Sequence, residues 1–597
     1  MTTPSGTSRR QMLAVAAAAA TAPLMAAGPA EAHRPSGPRT WTLTVLGTSD
    51  THGNVYNWDY YKDAEFDDAK HNDVGLAKVA TLIKQIRAER HHKGTLVLDA
   101  GDTIQGTPLT TYYAKQEPIT QTGERHPMAR AMNVIDYDAV TLGNHEFNYG
   151  LPLLDLWIRQ LGFPALAANA INAATGKPAF LPYVIKDVDL GFGAPRLRVG
   201  ILGLTNPGVA IWDKGNVEGK LRFDDMIATA AKYVPIMRAR GADIVVLSAH
   251  GGDSGTSSYG SELPIENPTA LIAQQVPGID AILFGHAHLE IAEKFVVNTE
   301  TGEQVLTSEP SKWGERLTRM DFTLSREGGR WKVTDKHATM LNTNTVVEDP
   351  RVVAAVRAQH NKTVAYVNQV VATSVTELAA AESFYKDTPI LDYINKVQTD
   401  TVSAALAGGQ YGNLPVLSIA APFSRDAVFP AGQVKIKDVA GLYIYDNTLE
   451  AVVLSGAEVK AYLEYSAKFY LTFAPGVPVD PQHIKDENVP DYNYDTMSGV
   501  DYDIDISKPV GQRITRLTHP GTDTPVGADE QFVVAVNNYR RSGGGNFPGI
   551  VKTQIYNQQQ EIRQLLIDWA QAKGVIDPKD FFEPNWRLVR EGVPVFA

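Results

Sequence analysis

Thr42-Leu43-Thr44-Val45-Leu46-Gly47-Thr48-Ser49-Asp50-Thr51-His52-Gly53-Asn54 is the stretch from which the fold can be read. Residues 42–47 form a short β-branched, apolar run of the kind that makes a buried strand, and the chain turns polar immediately after it. The same form recurs four times. Gly101-Asp102 follows residues 95–99, Gly143-Asn144-His145-Glu146 follows 139–142, His250-Gly251-Gly252 follows 243–248, and Gly285-His286-Ala287-His288 follows 281–284. Residues 197–202 are a further strand-like run, and amphipathic segments at 75–89, 151–161 and 224–240 lie between the strands. Strands separated by helices predict an α/β domain, with the five polar motifs gathered on the edge where strand C-termini converge.

Farther along the period changes. From about Lys294 to Leu341 the pattern is strand-turn-strand, with 317–324 and 330–335 flanking Gly328-Gly329, which predicts a meander closing the first domain. Pro350 opens a polar amphipathic helix running to about Asn368, with Val353, Val356 and Val364 near one face. A long, mostly polar helix between two structured regions predicts a connector. The second region has helices and strands of its own, among them residues 434–442, 449–454 and 532–536, and the turn Ser542-Gly543-Gly544-Gly545-Asn546. The expected divisions are 40–346 for the first domain, 347–369 for the linker helix and 370–597 for the second domain.

Composition limits the function classes. The 597 residues are 44% hydrophobic and 20% charged, which is globular, and the length calls for more than one domain. A formal charge of −12 argues against a non-specific binder of nucleic-acid duplexes, though not against small phosphate esters, since bound cations can reverse a local field. The N-terminus carries Ser8-Arg9-Arg10-Gln11-Met12-Leu13, an Ala-rich apolar stretch, and Ala30-Glu31-Ala32. That order predicts a signal peptide over residues 1–32 of the twin-arginine type, export machinery as a partner, and an extracellular, cell-envelope or periplasmic location. The apolar run is interrupted by Pro23 and is too short for a stable membrane span. There is no cysteine, so disulfides, thiolate metal sites and a cysteine nucleophile are all excluded.

The five motifs together point to metal chemistry. Asp50 with His52, and His286 with His288, are spaced i,i+2, which in extended backbone sends both side chains to one side. Carboxylate, imidazole and amide donors suit Mn, Zn, Co or Fe. Taken singly each residue has an ordinary explanation, Asp50 as a helix cap and His250 as a hydrogen-bonded core histidine. As a set they do not. Four of the 14 histidines, two aspartates and an asparagine follow directly on five apolar strands, and burying them together without a cation leaves unpaired donors and like charges.

These motifs resemble the metallophosphoesterase family, and with the C-terminal region they are similar to the bacterial 5′-nucleotidase superfamily. The resemblance is closest to its 2′,3′-cyclic-nucleotide 2′-phosphodiesterase/3′-nucleotidase branch. It is carried by Asp59-Tyr60-Tyr61-Lys62-Asp63, Gly143-Asn144-His145-Glu146-Phe147-Asn148-Tyr149-Gly150-Leu151, Gly285-His286-Ala287-His288 and Asn537-Asn538-Tyr539-Arg540, and it covers nearly the whole chain after residue 32. It implies a layered α-β-β-α catalytic domain followed by a smaller α+β substrate-binding domain, the two joined by a helix. It also implies two divalent metal ions, one on Asp50, His52 and His288, the other on Asn144, His250 and His286, with Asp102 bridging them. Hydrolysis would then proceed by attack of a metal-bound hydroxide on phosphorus. His145 is implied to face the phosphate, either as an acid or merely orienting a ligand. The superfamily's 5′-nucleotidases have an aspartate three residues after this histidine, whereas this chain has Asn148, as the cyclic-phosphodiesterase branch does.

The second domain is implied to hold the base. Tyr445-Asp446-Asn447 and Asn538-Tyr539 match positions where family members place an aromatic and an amide, so Tyr445 and Tyr539 would stack on the base while Asn447 reads its edge. Tyr443 reads as an ordinary strand residue. Arg425 matches a position that reaches phosphate or ribose, its plain alternative being an ion pair with Asp426. Gly545 stands where some 5′-nucleotidases carry an aspartate for the ribose. A site split between domains further implies a domain movement during turnover. Two other functions stay open at this point: a broad 5′-nucleotidase or nucleotide-sugar hydrolase, and a non-catalytic metal- or nucleotide-binding protein.

Overall fold

The first half of the chain is built on two six-stranded sheets, each made of parallel strands edged by antiparallel ones. In the first sheet Trp41–Thr48, Thr95–Asp99, Ala139–Thr141 and Ala165–Leu166 run parallel, and Arg316–Glu327 and Arg330–Asn342 add an antiparallel edge. In the second, Leu197–Leu204, Ile244–Ala249, Ala281–Phe284 and Gln304–Pro310 are parallel, flanked antiparallel by Tyr183–Val188 and Glu290–Val297. The computed structural model describes residues 39–191, 193–259, 261 and 263–596. The proposed signal peptide lies outside the described residues.

Strand alternation sets the layers. Leu43, Val45, Leu96 and Leu98 of the first sheet meet Val199, Ile201, Val246 and Leu283 of the second in one buried cluster between the sheets. Their odd-numbered or even-numbered neighbours point the other way, because successive side chains in a strand alternate faces. Leu46, Val97 and Val140 pack against the helices Leu76–Glu89, Pro127–Ile135 and Leu151–Gln160, and Leu202, Val245 and Ile282 against Met226–Ala239 and Thr269–Gln275. The result is α-β-β-α. The Gly328-Gly329 hairpin between residues 316 and 342 forms as expected and closes the first sheet.

The helix Pro350–Val367 has the predicted start, with the Asp349 carboxylate accepting from Arg351 N–H at 2.8 Å and proline in its first turn. Its buried stripe is Val352, Val356, Gln359, Thr363 and Val367, so Val353 and Val364 sit at the margin of the face rather than on its centre line. It does not span open space. Val352 and Val356 join the apolar core of the first domain, Tyr56 donates to Val353 O at 2.6 Å, and Gln359 donates to Arg125 O at 2.6 Å.

The second half is arranged around a five-stranded mixed sheet ordered Thr496–Ser498, Val416–Ala420, Gln531–Asn537, Thr448–Ser455, Tyr556–Glu561. Helices Pro389–Leu406 and Ile562–Lys573 cover one face, and Gly456–Ser466 with the strands Asp501–Asp505 and Trp586–Arg590 covers the other. Residues 434–442 divide into the end of a strand and the helix Ile436–Leu442, whose start is fixed by Lys435 N–H donating to Asp438 at 2.7 Å. Among the described residues no helix is long and apolar enough to cross a membrane.

Candidate metal centre and substrate cleft

All five motifs leave the C-terminal ends of parallel strands, and backbone hydrogen bonds carry the ladder past those ends. Asp50 N–H donates to Gly101 O at 2.8 Å, His52 N–H to Asp102 O at 2.9 Å, and Gly53 N–H to Thr103 O at 2.9 Å. The buried Glu146 carboxylate then ties two loops together, accepting from Asp102 N–H at 2.9 Å, Thr103 N–H at 2.6 Å and Gly143 N–H at 2.6 Å. The i,i+2 pairs do not work through extended backbone, as the spacing predicts. Asp50, His52, Asp102, His286 and His288 have φ of 51°, 45°, 58°, 84° and 59°, the left-handed region, so each loop coils to aim its side chain inward. Such conformations cost non-glycine residues roughly 1–3 kcal/mol each and persist where the surroundings over-determine them.

The side chains gather into two groups. Asp50, His52 and His288 offer donor atoms that lie within 4.8 Å of one another, and so do Asp102, His250 and His286. Hydrogen bonds fix which nitrogen each ring presents. His52 Nδ1–H donates to Gln105 O at 2.9 Å and His250 Nδ1–H to Ala100 O at 2.8 Å, since a carbonyl only accepts, which turns both Nε2 atoms towards the cluster. His286 is reversed: its Nε2 meets the Glu266 carboxylate at 2.8 Å, which frees Nδ1. His250 Nε2 lies 3.0 Å from Asp102 Oδ2, an approach that calls for positive charge at this nitrogen, either its own proton or a cation. The electrostatics follow. Burial opposes charge on His250, yet Asp102 and Asp50 outweigh it and raise the ring to about 10. Burial dominates at His52 and lowers it to about 3. Asp50 and Asp102 are held below the usual carboxylate range, because the surrounding imidazoles overcome burial.

A cleft of about 1320 Å³ opens beside this cluster and reaches the second domain. Asp102, Asn144, His145, Asn148, His286 and His288 line one wall, and Tyr445, Asn447 and Tyr539 line the other. Asn447 donates to the Tyr443 hydroxyl at 3.3 Å, and Tyr443 itself is buried against Phe423. Arg425 is not among the lining residues. Its guanidinium donates to Asp491 at 3.0 Å and lies 4.4 Å from the Phe384 ring centre, while Asp426 is 3.9 Å from Lys62. A side chain at Gly545, where φ is +76°, would meet Arg540 Nη1 at 2.3 Å and Asn493 Oδ1 at 2.4 Å, so this chain has no room for an aspartate there.

Sequence comparison agrees with this architecture. The calcineurin-like phosphoesterase family matches residues 43–290, and the 5′-nucleotidase C-terminal domain family matches residues 364–552. A 2′,3′-cyclic-nucleotide 2′-phosphodiesterase/3′-nucleotidase of Salmonella typhimurium is 34% identical over 92% of this chain and 89% of its own length. The chain belongs to the calcineurin-like phosphoesterases that carry a 5′-nucleotidase C-terminal domain. The trifunctional nucleotide phosphoesterase YfkN of Bacillus subtilis is likewise 34% identical over 92% of this chain, which spans 39% of that longer protein. In fold, a putative 5′-nucleotidase of Staphylococcus aureus superposes with a TM-score of 0.72 at 24% identity, covering 92% of this chain and 99% of the other.

A calcineurin-like phosphoesterase uses divalent metal, and the residues present fit one. Asn144 Oδ1 and His250 Nε2 are buried without a hydrogen-bond partner, and both belong to the predicted ligand set. Several supporting residues carry no sequence signal. Glu266 orients His286, Trp212 stacks on the same ring at 5.6 Å and 27°, and Asp213 accepts from Asn148 at 2.9 Å. They lie outside every motif, and only chain folding brings them to the cluster. Glu146 was visible inside its motif, but its role as an acceptor for four backbone amides, Ile104 N–H at 3.2 Å being the fourth, was not.

Proposed function

We propose that this phosphoesterase is an exported enzyme that opens 2′,3′-cyclic nucleotides to 3′-nucleotides and then dephosphorylates those to nucleosides. The observation that carries the proposal is the single cleft joining the aspartate–histidine cluster to Tyr445 and Tyr539. The activities for which the Salmonella and Bacillus relatives are named support a nucleotide substrate, and Asn148 supports the cyclic and 3′ specificity. In the first step water adds to phosphorus and the bond to O2′ breaks; in the second the bond to O3′ breaks and phosphate leaves.

In this reading Asp50, His52 and His288 would hold one divalent ion, and Asn144, His250 and His286 would hold a second. Asp102 is suited to bridge them, with Oδ2 3.0 Å from His250 Nε2 and 3.9 Å from His52 Nε2. Mn, Zn, Co or Fe, when bound, would supply positive charge beside the phosphate and acidify a coordinated water. His145 Nδ1–H donates to Asn148 Oδ1 at 2.6 Å, so Nε2, 3.9 Å from Asp102, is the atom on the cleft side. Protonated there, it donates to a phosphoryl oxygen or to the departing nucleoside oxygen. Tyr445 and Tyr539 stack on the base, each worth about 1–3 kcal/mol, and Asn447 meets its edge. Arg425 serves substrate only if it leaves Asp491.

Purified enzyme with added manganese, offered 2′,3′-cyclic AMP, 3′-AMP and 5′-AMP, is expected to turn over the first two faster. A clear preference for 5′-AMP would overturn the specificity, and hydrolysis that survives Asp102→Ala would overturn the metal-centred reading altogether. Export through the twin-arginine machinery is checked by replacing Arg9 and Arg10 with lysine, which should leave the protein inside the cell.

A further inference from the structure

Asp213 is a cleft-lining carboxylate that the reading above leaves without a task. It is 6% exposed, and among the described residues it has no ion pair; its neighbour Lys214 lies 3.4 Å from Glu218 instead. It precedes the short helix Lys214–Val217, yet its side chain makes no capping hydrogen bond. Its Oδ2 has no hydrogen-bond partner, while Oδ1 accepts from Asn148 Nδ2 at 2.9 Å. Neither a surface ion pair nor a helix cap accounts for it.

Donor and acceptor roles along the chain from Asp213 to His145 are forced. A carboxylate accepts, so it selects the amide nitrogen of Asn148. The amide oxygen is then turned toward His145 Nδ1, 2.6 Å away, and an amide oxygen can only accept. The imidazole proton is therefore held on Nδ1, and Nε2 is presented to the cleft. Asn216 holds the peptide in place from behind, donating to the carbonyls of Phe147 and Asn148 at 3.0 Å each. Without Asp213 the Asn148 amide is free to turn over and offer NH₂ to His145, which selects the wrong tautomer.

We infer that Asp213 is a positioning residue: through Asn148 it sets the tautomer and ring orientation with which His145 meets the leaving oxygen. The inference rests on the proposed role of His145.

The test compares two esters. A nucleoside oxygen leaves as a poor alkoxide and needs a proton, whereas p-nitrophenolate does not. Asp213→Ala should lower kcat on 3′-AMP by about tenfold or more with KM nearly unchanged, and should lower p-nitrophenyl phosphate turnover much less. Asn148→Asp alone sets two carboxylates against each other where a 2.9 Å hydrogen bond stood, and should lose as much. Adding Asp213→Asn to it restores a donor opposite a carboxylate and should recover most of the lost rate. Equal losses on both esters for Asp213→Ala, or a double variant no better than Asn148→Asp, would overturn the inference. His145→Ala separates the two readings. If it also discriminates between the esters while Asp213→Ala does not, Asp213 alone is refuted; if it does not discriminate, the role of His145 falls first.

Discussion

Three of the four imidazoles in the cluster are oriented by a group that no motif announces: Gln105 O for His52, Ala100 O for His250 and the Glu266 carboxylate for His286. Outer partners of this kind fix ring orientation and raise ligand basicity. Glu266→Ala is expected to weaken metal binding by about 10–100-fold, measured by competition with a chromophoric chelator, while the far-ultraviolet spectrum stays unchanged. A second prediction concerns Asp392, in the helix Pro389–Leu406, whose carboxyl is pushed up to about 8 by burial and by the charge of Asp387. The folded protein thus holds a proton that the unfolded chain, with a carboxyl near ~3.9, has released. Its contribution is fully present below that lower value and is lost as pH rises towards 8. Asp392→Asn removes the penalty, so its Tm advantage over the natural chain should widen from pH 5 to pH 8. A constant difference would show that Asp392 does not titrate in this range.

At the scale of elements, the parallel strands bring the loops together, and the loops do the aiming. Five ligand residues in left-handed conformation replace the simple alternation that i,i+2 spacing suggests, because the strands end before the motifs begin. Gly101, at φ +104°, makes this possible next to Asp102; a Cβ there would stand 2.5 Å from Gly143 N. Gly101→Ala is expected to destabilise the protein by about 1–3 kcal/mol and to release metal in the same step, seen as a lower Tm and a lower metal content. If Tm falls while metal is retained, the strain is not coupled to the site. Strand and helix positions were largely legible from apolar period, as residues 42–47, 95–99 and 281–284 demonstrate. The role of the Pro350–Val367 helix was not, since its polar composition reads as a connector while its Val352 and Val356 side chains fill the first domain's core.

On the scale of the whole molecule, a buried carboxylate beside the cleft is among the groups that join the two halves. Asp446, between Tyr445 and Asn447, accepts from Gln105 at 2.6 Å and Tyr149 at 2.8 Å in the first half, and pairs with Arg563 of its own half at 2.6 Å. Gln105 also carries the carbonyl that orients His52, so the loop of Tyr445 and Asn447 and a histidine of the cluster share one residue. Asp446→Asn leaves the buried Arg563 guanidinium without its anion, a loss of about 3–5 kcal/mol. An earlier urea transition and a higher KM are expected, and an unchanged urea midpoint would dismiss the network as a stabilising one. The amino-acid sequence by itself determined the layered α/β architecture and the phosphoesterase family, and it named the aspartates and histidines that the fold gathers into one cluster, because short apolar runs and the chemistry of side-chain donors are local properties. Only the tertiary structure decided which nitrogen each histidine presents, that Asp213 stands behind Asn148, and that Arg425 is turned towards Asp491. Those depend on hydrogen bonds between loops tens or hundreds of residues apart, which no local pattern encodes.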